Sequence, residues 1–120
     1  MFVKKLKDCD EFTALDGCCI RELLHPEKGP PALPYSLAYA RVEKGKGTYR
    51  HQLKQTEIYF ILEGSGRMYI DEESREVGKG DTIVIPARSI QRIDNTGPET
   101  LEFIAIVSPP WRAEDDVRMD

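Results

Sequence analysis

At 120 residues with 40% apolar side chains, the chain has room for one domain built on one core. Charged residues reach 32%, but the net charge is only −4 with both signs interspersed, which argues against a nucleic-acid-binding face. No apolar run approaches the ~20 residues of a membrane helix, and the first twelve residues lack a signal-peptide core, so a cytoplasmic protein with neither nucleic-acid nor membrane partners is expected.

Val3 to Leu15 is mixed in pattern, with a short strand at its start and a short helix or turn over Asp10 to Leu15 as the expectation. Cys9, Cys18 and Cys19 make an odd count with two adjacent, where a disulfide would staple almost nothing, so they read as reduced thiols. Asp16-Gly17 signals a turn and Cys18 to Leu24 a strand. The stretch HPEKGPPALP then carries four of the eight prolines and reads as a loop or extended crossing, because proline removes donors from a central ladder. His25 at its edge is either a loop histidine or an acid/base group.

Tyr35 to Val42 alternates as a strand, with Tyr35, Leu37, Tyr39 and Arg41 on one face and Ser36, Ala38, Ala40 and Val42 on the other. With the larger face inward, Tyr39 and Arg41 would contact a bound acid or sugar; with it outward, they would cover the surface. In Thr48 to Leu53, Tyr49, His51 and Leu53 share a face, and on the following strand Glu57, Tyr59 and Ile61 do. A hairpin could aim His51 and Glu57 into one space lined by Tyr49 and Tyr59, with Gln91 adding an amide oxygen and Gln55 in the turn another. An imidazole and a carboxylate so convergent could hold a divalent cation. One nitrogen among several oxygens biases such a site toward Mn²⁺, Mg²⁺ or Ca²⁺, though Ni²⁺, Cu²⁺ or Zn²⁺ would enter when supplied. The alternative is a plain hydrogen-bonded His51–Glu57 pair.

Arg67 to Asp71 and Arg75 to Val77 flank a hairpin turn, and Thr82 to Ile85 and Ile90 to Ile93 are short strands either side of Pro86. Arg88 and Arg92 would clamp an oxyanion if turned inward and serve solubility or a subunit contact if not. Thr100 to Val107 is a core strand. In the charged tail from Pro109, the lone Trp111 should pin the chain to its own barrel or to a partner. Short strands between glycine-rich turns mark an all-β sandwich or barrel.

Gly45-x5-His51-x5-Glu57-x6-Gly64, followed by Gly80-x5-Pro86-x4-Gln91-x3-Asn95, resembles the paired motifs of the cupin superfamily. Leu53 stands at the family's usual second histidine of the first motif, Gln91 at the histidine of the second, and Arg88 at a usual glycine. The resemblance implies a jelly-roll barrel over residues 1–120 with a core of about 18–108 and a tail of 109–120. It also implies a homodimer, a small-molecule ligand and a divalent metal (Mn, Fe, Ni or Zn) held by His51, Glu57, Gln91 and Gln55. Glu57 and Tyr59 would be the catalytic pair, with Tyr39, Arg41, Tyr49 and Tyr59 lining the ligand site. Isomerisation, decarboxylation or oxygenation of a small sugar or acid is the implied chemistry, and a non-catalytic ligand sensor the alternative.

Overall fold

The computed structural model describes residues 1–29 and 32–120. Eleven strands occur among these residues: β1 (Glu11–Thr13), β2 (Cys19–Leu24), β3 (Ser36–Val42), β4 (His51–Leu53), β5 (Thr56–Glu63), β6 (Ser65–Ile70), β7 (Glu73–Gly78), β8 (Thr82–Ile85), β9 (Ile90–Asn95), β10 (Leu101–Ser108) and β11 (Asp116–Arg118). Single 3-10 turns lie at Leu6–Asp8, Pro26–Lys28 and Ala113–Asp115. The N-terminal segment thus inverts expectation, with the turn first and the strand at Glu11–Thr13. The proline-rich crossing begins with a 3-10 turn capped by the His25 side chain, and its Pro30 and Pro31 lie outside the described residues. No helix among the described residues is long and apolar enough to cross a membrane.

Two antiparallel sheets face each other, ordered β1-β2-β3-β10-β5-β8 and β11-β4-β9-β6-β7. The alternation that writes the strands also decides their faces. In β10, Leu101, Phe103, Ala105 and Val107 point inward, and in β5 Glu57, Tyr59 and Ile61 do. Phe103 and Tyr59 stack with ring centroids 4.3 Å apart, joining a core that includes Val42, Met68, Ile85, Ile93 and Leu101. Burying these side chains is the principal favourable term in folding so small a barrel.

Short turns carry the chain between sheets as well as within them. Lys54 and Gln55 pass it from β4 in one sheet to β5 in the other, so these strands are not the hairpin partners that the sequence suggests. Gly64 makes the return crossing with φ of +88°, where a Cβ would lie 2.7 Å from the Thr100 carbonyl oxygen. Arg88 takes φ of +68° at the motif's usual glycine. Its N–H donates to the Leu53 carbonyl and its carbonyl accepts from Gln52, bonds that hold it in this uncommon conformation.

The tail is part of the barrel. Strand β11 pairs with β4, Asp116 opposite Leu53 and Arg118 opposite His51, so sheet pairing runs well beyond an 18–108 core. Trp111 anchors it within the same chain: its backbone N–H donates to Ser36 and its indole N–H to Asp116.

Candidate functional site

Between the sheets lies a cavity of about 90 Å³. Its walls include Phe12, Ile20, Ala38, Ala40, Phe103 and Trp111, and its polar groups include Asp16, Ser36, His51, Glu57, Tyr59 and Asp116. Among the described residues, no lysine or arginine lines it. Four carboxyl groups, those of Asp16, Glu22, Glu57 and Asp116, therefore face a single imidazole, although Glu22 has an outside partner in Lys28 at 2.9 Å.

His51 and Glu57 approach from opposite sheets. His51 Nδ1–H donates to Asp116 Oδ1 at 2.8 Å, the tautomer assigned because a carboxylate only accepts. The second Asp116 oxygen accepts from Trp111 Nε1 at 3.0 Å, so both are occupied in fixing the ring. His51 Nε2 and Glu57 Oε1 are buried without a hydrogen-bond partner. Tyr59 donates its hydroxyl proton to Gln91 Oε1 at 3.2 Å, and Gln91 is near enough to Glu57 to favour its ionised form.

The electrostatics follow from burying like charges together. Desolvation pushes the Glu57 carboxyl up to about 8, more than the nearby His51 charge can offset. Asp16 is raised for the same leading reason. For His51, burial favours the neutral ring, but the hydrogen bond to Asp116 and the fields of Asp16, Asp116 and Glu57 together exceed it and raise the pKa. Burial also raises the Tyr59 hydroxyl well above its usual range and keeps it a donor.

The structure gathers His51, Glu57, Gln91 and Tyr59 and separates the rest of the expected set. Gln55 is turned away from the cavity: its amide donates to Asp115 Oδ2 at 2.7 Å and to the Pro110 carbonyl, because the sheet crossing points it at the tail. Tyr39 and Arg41 lie on the outer face of β3, where they bond Glu102 and Glu11 respectively. Their small neighbours Ser36, Ala38 and Ala40 are the ones that line the cavity, so the large face looks outward. Tyr49 precedes β4, is 44% exposed, and lies beneath the Arg118 guanidinium, 3.4 Å from its ring centroid, rather than in the cavity. Arg88 is exposed, and Arg92 stacks on Tyr69 outside.

Asp16, Asp116 and Ser36 join the site without having been singled out. Asp16 was visible only as half of a turn signal, and Asp116 only as one charge in a charged tail. Cys18 also borders the cavity. Its thiol donates to the Arg41 carbonyl, and burial pushes it up, away from reactive thiolate. All three cysteines are free. His25 serves structure, its Nδ1 accepting from the Glu27 N–H and its Nε2 bonding the Trp111 carbonyl.

A divalent cation suits this donor set in chemistry and charge. A fixed imidazole with a free Nε2, an unpartnered buried Glu57 oxygen and surplus carboxylates are what such an ion would neutralise. As they stand, however, no three His, Cys, Asp or Glu side chains among the described residues converge to enclose one.

Two facing antiparallel sheets enclosing a small cavity define a jelly-roll barrel. The Cupin domain family model matches residues 38–107, and the chain belongs to that family. An uncharacterized protein of Methanocaldococcus jannaschii is 46% identical over 107 residues, covering 87% of this chain and 83% of its own. Among solved structures, the plu4264 protein of Photorhabdus luminescens is similar at TM-score 0.77 and 25% identity, with 96% of this chain and 91% of that one aligned. The polyketide cyclase RemF of Streptomyces resistomycificus aligns at TM-score 0.81 and 19% identity, covering 100% and 86%. Oxalate decarboxylase of Bacillus subtilis aligns at 0.82 and 20% identity, covering 95% of this chain but only 31% of that one. Likeness at these last two identities concerns the fold.

Proposed function

We propose that this cupin holds a divalent cation in its cavity through His51 and Glu57 and acts there as an enzyme on a small sugar or carboxylic acid. The carrying observation is the pair of buried unpartnered atoms, His51 Nε2 and Glu57 Oε1, presented from opposite sheets while Asp116 fixes the other ring nitrogen. An acidic cavity without lysine or arginine repels a free carboxylate, so an acid substrate needs a cation between itself and the protein. When bound, that cation would supply Lewis-acid polarisation of a ligand oxygen. Before the cation binds, the Glu57 carboxyl near 8 holds its proton at neutral pH, and it gives that proton up as the cation enters. Tyr59 and Gln91 orient it, and the apolar wall limits water. The same roles serve isomerisation, decarboxylation or oxygenation, and the cyclase and decarboxylase neighbours show that this fold hosts enzymes.

A second reading, a ligand sensor without catalysis, is favoured by Leu53, apolar and only 1% exposed at the motif's second-histidine position. Metal content by plasma mass spectrometry, on protein purified without an affinity metal, separates the two. A near-stoichiometric ion in wild type that vanishes in His51→Ala supports the cation site. No ion in either sample, even after exposure to Mn²⁺, Ni²⁺ and Zn²⁺, leaves the sensor.

The partner face we propose for a homodimer is the outside of the six-stranded sheet. Leu37, Ile106, Ile58 and Val84 stand side by side across β3, β10, β5 and β8, with Ile104 beside Phe60 in the next row. At about 4.8 Å per strand, the row spans about 14 Å of apolar surface, and a two-fold interface needs only one such self-complementary patch. Phe60→Glu should convert a dimer to a monomer in light scattering; a wild-type monomer at micromolar concentration would reject the assignment.

A further inference from the structure

The first motif contributes His51 and Glu57, but a closed cation site wants at least one more protein donor, and Leu53 has none to give. A third donor stands nearby from outside both motifs and outside the matched segment: Asp16, in the turn that precedes β2. Gly17 closes that turn, its N–H donating to the Ala14 carbonyl at 2.9 Å. Asp16 Oδ1 accepts the Cys18 N–H at 3.0 Å, which sets the orientation of the carboxylate. Its Oδ2 is thereby held 3.4 Å from His51 Nε2.

That separation is long for an N–H···O bond, whose usual range ends at about 3.2 Å. It is close to the spacing of two donor atoms on one ion, which at about 2.1 Å each lie about 3.0 Å apart in octahedral and about 3.4 Å apart in tetrahedral coordination. The three residues are also uniformly sequestered, with Asp16 7%, His51 4% and Glu57 8% exposed. Two of them present unpartnered atoms to the cavity. Asp116 cannot take this role, because His51 and Trp111 occupy its two oxygens.

The geometry points to Asp16 as a cation ligand of this chain, completing with His51 Nε2 and Glu57 a set that the motifs leave open at Leu53. This rests on the cation reading above and requires the three side chains to draw together, since among the described residues no three such donors converge as they stand. The exchange of a nitrogen for an oxygen donor moves preference toward Mn²⁺ and away from softer ions.

Mn²⁺ alone is the probe, titrated into the metal-free protein while the electron paramagnetic resonance signal of free Mn²⁺ is followed. Asp16→Asn, of the same shape, should weaken binding at least about tenfold with an unchanged circular dichroism spectrum. Wild-type affinity retained within about twofold in Asp16→Asn, together with its loss in His51→Ala, overturns the Asp16 assignment and leaves the cation site standing. No Mn²⁺ binding by wild type overturns both. Should the variant fail to fold, Zn²⁺ added to wild type gives the answer directly: ligation shifts the Asp16 carboxyl carbon resonance, and an unmoved resonance alongside a shifted His51 ring rejects it.

Discussion

Metal-free protein will lose stability as the pH rises from about 5 to about 8.5, and Glu57→Gln will abolish most of that loss. Glu57 has its carboxyl raised from 4.5 to about 8 by burial. Between those values the folded protein keeps a proton that the unfolded chain has released, so unfolding releases a proton and rising pH favours it. At 1.36 kcal/mol per unit, the full shift corresponds to about 5 kcal/mol once both states are ionised. His51 acts with the same sign, because its raised pKa stabilises the fold below its unfolded value and that contribution disappears as pH climbs through the folded one. The raised Asp16 adds to the trend. Urea midpoints measured across this range in chelator should fall for wild type and stay much flatter for Glu57→Gln. A flat wild-type profile would mean that water reaches Glu57 and that burial does not hold its proton. A bound cation reverses the slope, since it takes the place of the protons and binds more tightly as they leave.

Deleting residues 112–120 should cost on the order of 3–5 kcal/mol, although the segment is largely exposed and charged. The loss includes the β11–β4 ladder and the bonds from Lys54 N–H to the Asp115 carbonyl and from Met119 N–H to the Arg50 carbonyl. It also includes the Gln55–Asp115 bond and the Asp116 carboxylate on His51. At about 1 kcal/mol for each net hydrogen bond, with newly uncovered Leu53 adding more, the sum is a large part of a small domain's stability. Asp116→Ala isolates the site's share. It should lower the His51 pKa read by NMR, because the Asp116 hydrogen bond and charge both raise it, and cost about 1–3 kcal/mol by leaving a buried ring nitrogen unpaired. An unchanged urea midpoint after the deletion would show that the tail does not complete the sheet in solution.

Much of the barrel was legible because its signals are local. Thr82–Ile85 between Asp81 and Pro86, and the apolar alternation of β10, each follow from residues within a few positions. The motif spacings then placed His51, Glu57 and Gln91 together, as the structure does. What alternation alone does not reveal is which face looks inward. In β3 the small side chains line the cavity and Tyr39 and Arg41 the surface, because an open space between the sheets requires one wall to be slight. Gln55 was misplaced for a related reason: a turn within one sheet would have kept it near His51, but this turn changes sheets. Asp116 was out of reach altogether. It lies 65 positions from the histidine it holds, in a segment whose composition resembles a solvated tail.

The change of sheets at Lys54–Gln55 also makes the site a gauge of the sandwich itself. His51 rides on one layer and Glu57 on the other, so the distance between their free atoms is set by how far apart the layers sit. Any molecule that bridges them acts as a rivet through the barrel, resisting the layers' separation. A core substitution remote from the cavity, such as one at Ile93 or Leu101, would alter the grip by changing the thickness of what the rivet must cross.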